Sequence, residues 1–118
     1  MKHFYYGDVP LSEIGSEARN SQRRWLVDEG IGAHNFTVAE VEIMPGGNTL
    51  HHSHHYEHAI FILEGNGEVV DSTGTSPITP WEVLYIAPNE LHQIKNSGEK
   101  MLRFLTIEPI QKNEEKRS

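Results

Sequence analysis

The sequence of 118 residues contains no cysteine, which excludes disulfides, thiolate metal ligands and cysteine nucleophiles. It also has no apolar run approaching the roughly 18–20 residues that a membrane span needs. The first ten residues, MKHFYYGDVP, include no apolar segment of signal-peptide length. We therefore expect a cytoplasmic protein without a membrane partner.

Basic residues are few, since 10 Lys and Arg stand against 17 Asp and Glu, giving a formal net charge of −7. Nucleic-acid-binding domains usually carry a basic patch or stripe. The basic residues of this chain are scattered, apart from Arg23–Arg24 and the tail. This balance argues against a nucleic-acid partner and favours a small-molecule ligand or substrate.

The length and the absence of repeats and linkers predict a single domain over 1–118. Residues 1–21 lack clear periodicity and are predicted to form an N-terminal arm. A barrel core is expected over about 22–109. The remainder, 110–118, is predicted to be a charged, solvated tail.

Short β-rich runs separated by turn residues dominate the sequence. Residues 36–44 (FTVAEVEIM) alternate between two faces, whereas 58–63 (HAIFIL) is apolar on both faces, as in a buried strand. Gly65–Asn66–Gly67 is a hairpin signal. Further strands are expected over 24–28, 67–71, 83–86, 91–95 and 101–107. Short strands with frequent turns predict an all-β sandwich or barrel.

Histidine is the unusual component of the composition, because five of the eight histidines lie between positions 51 and 58. In a strand, His52 and His54 would point to the same face, and His58 would be in phase with them. His92 opens a later strand after a Pro88–Asn89 turn. Such an imidazole set suits one divalent transition metal (Mn, Fe, Ni, Cu or Zn) and not Ca or Mg.

Two motifs resemble those of the cupin family. The stretch Gly46-x5-His52-x-His54-x3-His58-x6-Gly65 is similar to the first cupin motif, and Trp81-x5-Ala87-Pro88-Asn89-x2-His92-x3-Asn96 is similar to the second. The resemblance implies a double-stranded β-helix (a cupin jelly-roll barrel). It also implies that His52, His54, His58 and His92 hold one metal per chain. His58 stands where many cupins carry Glu, which resembles the four-histidine cupins and favours manganese.

Besides His58 in the first motif, the chain departs from the second motif at three positions. Trp81 and Asn89 stand where the second motif has glycine, and Ala87 stands where it has proline. Asn tolerates the left-handed conformation that such a glycine adopts, so Asn89 is a mild change. Trp81 is a larger change and affects the expected turn geometry.

Alternatives to the four-histidine site stay open. The tract HHSHHYEH can be a surface histidine run without a defined metal site. His92 can be an ordinary buried histidine, and Glu57 can replace His58 as the fourth ligand. His51 and His55 are expected to face outward or to lie behind the ligands, and His3 and His34 to lie on the surface.

The pocket walls are expected to come from residues in phase with the ligands, namely Ile60, Ile62 and Ile94. The resemblance adds Phe104 and Thr106 from the last strand, although Phe104 can also be plain barrel core. We find no acidic counterpart on that strand to the one in small uronate-converting cupins. The catalytic residues are unknown, and Tyr56, Glu57 and Glu90 are equal candidates for a general base.

Four neutral imidazoles leave the metal charge uncompensated, which favours anionic oxygen ligands. The first functional hypothesis is therefore a metal-dependent enzyme of the dioxygenase type acting on a small anionic, enolic or aromatic substrate. The alternatives are a redox-neutral isomerase, cyclase or lyase, for example on a sugar acid, and a non-catalytic binding or storage protein. The resemblance also implies a homodimer, for which Trp25, Leu26 and Val27 offer an apolar segment.

Overall fold

The computed structural model describes residues 1–111 and contains nine strands within that range. Their bounds are β1 (Ser12–Glu13), β2 (Arg19–Val27), β3 (Phe36–Asn48), β4 (His58–Glu64), β5 (Gly67–Asp71), β6 (Gly74–Ile78), β7 (Val83–Ile86), β8 (His92–Lys95) and β9 (Leu102–Pro109). The helical part is two 3₁₀ turns, Tyr6–Asp8 and Glu29–Ile31. No helix among the described residues is long and apolar enough to cross a membrane.

The strands form a curled antiparallel sheet in the order β6-β5-β8-β3-β9-β4-β7, with β2 added to β3 and β1 added to β2. Strand β3 lies between two groups of three strands, β6-β5-β8 and β9-β4-β7. Its first part pairs with β9 from Phe36 to Ile43, and its end pairs with β8 through Asn48 and Lys95. The predicted all-β barrel is therefore confirmed.

The core lies between the inward faces of the strands, where alternate residues are buried. In β9, for example, Leu102, Phe104 and Thr106 are buried, whereas the intervening side chains are more exposed. The main cluster of buried apolar residues comprises Val41, Ile43, Ile60, Ile62, Ile78, Ile86, Ile94, Leu102 and Phe104.

Strand β6 was not predicted, because residues 72–77 contain turn-forming Ser, Gly and Pro. It pairs with β5 from Gly67↔Ile78 to Asp71↔Gly74, so that Ser72 and Thr73 form the connecting turn. Four of its five residues are exposed. A strand at the end of the sheet order tolerates proline, and its exposed side chains carry no alternating apolar signal. Strand β3 is also longer than predicted, since it continues through Pro45–Gly47 to Asn48.

The hairpin predicted at Gly65–Asn66–Gly67 is wrong. The turn is present, but β4 pairs with β7 and β9, whereas β5 pairs with β6 and β8. Gly65 has a φ of 87°, and a Cβ atom there would collide with the Met101 carbonyl oxygen. The glycine is needed because the chain passes close to another segment in a left-handed conformation.

The predicted N-terminal arm includes β1 and the first residues of β2, and it covers the outside of the sheet. The ring of Tyr6 lies 5.1 Å from the guanidinium carbon of Arg24 and 5.0 Å from that of Arg103. Both guanidinium groups bind Glu40 at 2.9 Å, and the side chain of Glu40 is 1% exposed. At the other end, Ile110 is buried, and the predicted tail from 112 onward lies outside the described residues.

Candidate metal centre

The four predicted ligand histidines come from three places in the chain and meet at one end of the barrel. His52 forms an isolated bridge with His92, the first residue of β8. His58 is the first residue of β4, and His54 lies in the connection that leads to it. The closely spaced tract is therefore fixed at both ends, by β8 and by β4.

The imidazole rings of these four residues form one cluster. Ring centroids are 4.8 Å apart for His54 and His58, and 4.9 Å for His52 and His92 and for His58 and His92. One ring nitrogen from each of His52, His54 and His92 lies within 4.8 Å of the other two.

Hydrogen bonds orient three of the rings. Nδ1 of His54 lies 3.2 Å from the carbonyl oxygen of Tyr56, and Nδ1 of His92 lies 2.9 Å from that of Glu90. A carbonyl oxygen only accepts, so Nδ1 carries the proton and Nε2 keeps its lone pair. Nδ1 of His58 faces a carboxylate oxygen of Glu108 at 3.4 Å. This arrangement is typical of metal-ligating histidines.

The Nε2 atom of His58 is buried and has no hydrogen-bond partner among the described residues. A buried ring nitrogen without a partner is costly unless a ligand or ion satisfies it. The donor set, borderline imidazole nitrogen on four side chains, fits a divalent transition metal. The residues present therefore fit the metal that the motif implies.

Burial favours the neutral form of three of the clustered imidazoles, His52, His54 and His92. The pKa of His52 is lowered to about 4, chiefly by burial and also by the charges that His92, His54 and His58 would carry. The pKa values of His54 and His92 are also lowered, chiefly by burial. Neutral imidazole is the form that binds metal, so these three residues are in the binding form near pH 7.

Glu108 is a site residue that the sequence analysis missed. It follows Leu102, Phe104 and Thr106 on the inward face of β9, so extending the alternation by one step would have found it. Burial acts to raise the pKa of Glu108, but the hydrogen bond with His58 and the charges of His58, His54 and Arg23 lower it overall. The last strand therefore does present an acidic side chain to the site, contrary to our expectation.

A cavity adjoins the histidine cluster and encloses about 510 Å³ of space between atoms, including solvent at its mouth. Of the predicted pocket residues, Ile60, Ile94, Phe104 and Thr106 line it, together with His52, His58, His92 and Glu108. Ile62 is not among the lining residues, because it is fully buried in the core one step further along β4. The rest of the wall is mostly apolar and comprises Ile14, Arg23, Trp25, Ala39, Val41, Thr49 and Leu50.

The candidates for a general base and the remaining histidines are not among the residues that line this cavity. Glu57 is exposed and accepts a hydrogen bond from the hydroxyl of Tyr85, and the Glu90 side chain accepts one from the backbone of Ala87. Tyr56 is buried with its ring stacked on His54 at 4.2 Å. The remaining histidines, His3, His34, His51 and His55, are exposed.

The model of the Cupin_2 domain, described as "Cupin domain", matches residues 39–108, more than half of the chain. The chain belongs to the cupin family. The polyketide cyclase RemF from Streptomyces resistomycificus is 33% identical with a TM-score of 0.87, covering 94% of this chain and 80% of the other. The strands, the curled sheet and the position of the histidine cluster agree with a small single-domain cupin.

Two further relatives are more distant. The 1-methylthio-D-xylulose 5-phosphate methylsulfurylase of Rhodospirillum rubrum is 25% identical over 84% of this chain. This chain spans 63% of the length of that relative. A predicted oxalate decarboxylase from Thermotoga maritima is 21% identical with a TM-score of 0.83, covering 93% of this cupin and all of the other chain. At that identity, the likeness supports the fold alone.

Proposed function

We propose that this cupin is a metal-dependent enzyme that converts a small carbonyl or enolic compound by a redox-neutral reaction. The observation that carries the proposal is the cluster of His52, His54, His58 and His92, of which all but His54 line a cavity, with a buried His58 Nε2 that needs a partner. These residues would hold one divalent ion, for which manganese is our first choice and Fe, Ni, Cu and Zn are alternatives.

A divalent metal in this position would supply Lewis acidity toward a carbonyl oxygen. The protein supplies the rest of the environment. The side chains of Ile60, Ile94 and Phe104 form an apolar wall that excludes water from a bound molecule. Arg23 adds a positive charge to that wall, which suits a substrate with an anionic group.

The names of the relatives do not support the dioxygenase reaction that the sequence suggested first, and the name of the cyclase favours redox-neutral chemistry. The two relatives at 25% identity or more that are described above are named as a cyclase and a methylsulfurylase, and neither name is that of a dioxygenase. An oxygen-dependent reaction is the second candidate, since an open metal site among imidazoles also suits dioxygen. Because one fold hosts many reactions, the choice between the redox-neutral and the oxygen-dependent reaction requires an experiment.

The first experiment asks whether the site is open. The protein is loaded with Mn(II), and water-proton relaxation is followed while oxalate or catechol is added. We expect exchangeable water on the metal and its displacement by both anions, and His92→Ala serves as the unloaded control. A loaded protein without exchangeable water, insensitive to both anions, would show a closed structural site and contradict an enzymatic role.

The second experiment separates the two reactions. Hydroxyacetone is incubated with the loaded protein in deuterium oxide, under argon and under air, and the C–H signals are followed by NMR. Deuterium exchange that is equal in both gases and absent in His92→Ala supports the redox-neutral proposal. Substrate-dependent oxygen uptake, with no exchange under argon, would replace it with the dioxygenase alternative.

A further inference from the structure

Glu108 uses one of its two carboxylate oxygens to contact the candidate metal centre. Its Oε2 atom lies 3.4 Å from Nδ1 of His58, and both side chains are nearly buried, at 7% and 6% exposed. The hydroxyl of Thr106 also lies 3.4 Å from the same nitrogen. The carboxylate therefore sets which nitrogen of His58 carries the proton and which faces the cluster.

The other oxygen, Oε1, has a different environment. It is buried, it has no hydrogen-bond partner among the described residues, and Glu108 lines the cavity. A buried carboxylate oxygen without a donor loses its hydration and gains nothing in exchange. Water or a ligand in the cavity can supply an O–H or N–H group to it.

A molecule in the cavity that carries an O–H or N–H group needs an acceptor, and the other polar side chains of the wall are less suited to this than Glu108. Arg23 carries donors and no acceptor. The hydroxyl of Thr49 already accepts from the backbone of Ile94, at 2.9 Å. The hydroxyl of Thr106 faces His58. Glu108 thus places a strong anionic acceptor beside the histidine cluster in an otherwise mostly apolar pocket.

We propose that Glu108 determines the specificity of this site. Its first oxygen fixes His58, and its second accepts a hydrogen bond from the ligand. The cavity would therefore select molecules that carry an O–H or N–H donor next to the oxygen that binds the metal, as in α-hydroxy ketones. This inference rests on the proposed metal site and adds the class of substrate that the site takes.

A matched pair of metal-binding ligands tests the inference. Acetohydroxamate and N-methylacetohydroxamate bind metals through the same two oxygens, but only the former has an N–H donor beside them. With the Mn(II)-loaded full chain, we expect acetohydroxamate to bind about tenfold more tightly, as is typical of a hydrogen bond to a charged group. Calorimetry measures both affinities.

Substitution of Glu108 distinguishes hydrogen bonding from crowding by the extra methyl group. Glu108→Gln keeps the size of the side chain. If its amide oxygen accepts from His58, its NH₂ group faces the cavity and cannot accept. We expect the preference in Glu108→Gln to fall below about twofold, and Glu64→Gln, on the exposed end of β4, to retain the tenfold preference. A preference that persists in Glu108→Gln would come from crowding and would overturn the inference.

Metal affinity is the second readout. The carboxylate orients His58 and offsets the ion's charge. The affinity of Glu108→Ala for Mn(II) should therefore be at least about tenfold lower than that of the unsubstituted chain. The two proposals can fail separately. An unsubstituted chain that takes up no Mn(II) contradicts the proposed function. A chain that binds Mn(II) but binds both hydroxamates equally overturns the role of Glu108, and this comparison needs no variant.

Discussion

The backbones of His52 and His92 exchange two hydrogen bonds, with N···O distances of 3.1 and 3.0 Å. This bridge holds the first residue of the ligand motif against the first residue of β8. The main-chain positions of both residues are thus set by strand pairing. A preorganised site of this kind binds its ion without the entropic cost of gathering its ligands.

We expect metal binding to depend on the clustered histidines and not on the tract as a whole. His54→Ala and His92→Ala should lose most of the metal after dialysis, because each removes a nitrogen from the cluster. His51→Ala, which changes an exposed neighbour, should keep about one equivalent. Elemental analysis measures this, and equal losses in all three variants would indicate a loose surface tract.

Glu40 is expected to be a major contributor to stability. It lies between Arg24 and Arg103 as their most deeply buried partner, and its removal leaves Arg24 with Glu42 and Arg103 with the exposed Glu64. Glu40→Ala should lower the free energy of unfolding by about 3 kcal/mol. Glu64→Ala is the matched control, because Glu64 also binds Arg103 but is 56% exposed, and it should cost less than about 1 kcal/mol. Urea denaturation measures both, and similar values for the two would refute this.

The metal-free protein should lose stability as the pH falls from about 6.5 toward about 4. In that range the unfolded chain binds protons on its histidines, while the buried His52, His54 and His92 resist protonation. Above about pH 6.5 these groups are neutral in both states and contribute no slope. Urea denaturation at several pH values measures the trend. His52→Gln should flatten it, His51→Gln should not, and stability that rises on acidification would contradict the assignment.

Trp81 is expected to be strained. Its φ is 74°, in the left-handed region that favours glycine, although its ring contacts Phe61 at 5.9 Å. Trp81→Ala and Trp81→Gly both remove that contact, so comparing them isolates the backbone. The glycine variant should be more stable by about 1 kcal/mol. Thermal denaturation checks this, and an equally stable alanine variant would show that the turn relaxes.

The homodimer stays a prediction, and one of the three residues offered for its interface has another position. Trp25 lines the cavity, so it is not available as an outward apolar surface. Trp81, Val83 and Tyr85 are instead exposed on and beside β7, which ends the sheet order. We expect light scattering to give the mass of two chains, and a mass of one chain at all concentrations would rule the dimer out.

The sequence predicted those parts of the fold that depend on local alternation. Residues 36–44 and 58–63 have a buried face, and both lie in strands as expected. Strand β6 could not be found, because exposed side chains at a sheet edge leave no apolar pattern. Turn residues at 65–67 indicate where the chain bends, but they do not say which strands pair afterwards.

In the candidate site, too, local sequence patterns predicted some features, and others depend on how the strands pair. The spacing predicted that the His52 and His54 rings lie together, and they do, although His54 is in a connection and not in a strand. His92 was added through the motif and not through any local signal. Glu108 lies 50 residues after His58 in the sequence but directly beside it in the fold. That contact depends on the register between β4 and β9, which no local pattern specifies.

The two tryptophans of this chain occupy opposite environments. Trp25 lines the cavity with the guanidinium of Arg23 4.5 Å from its ring, whereas Trp81 is 72% exposed. A Trp81→Phe variant would therefore emit fluorescence from Trp25 alone. That emission would change as a molecule fills the cavity, so compound libraries can be screened for ligands without a label and without knowing the reaction.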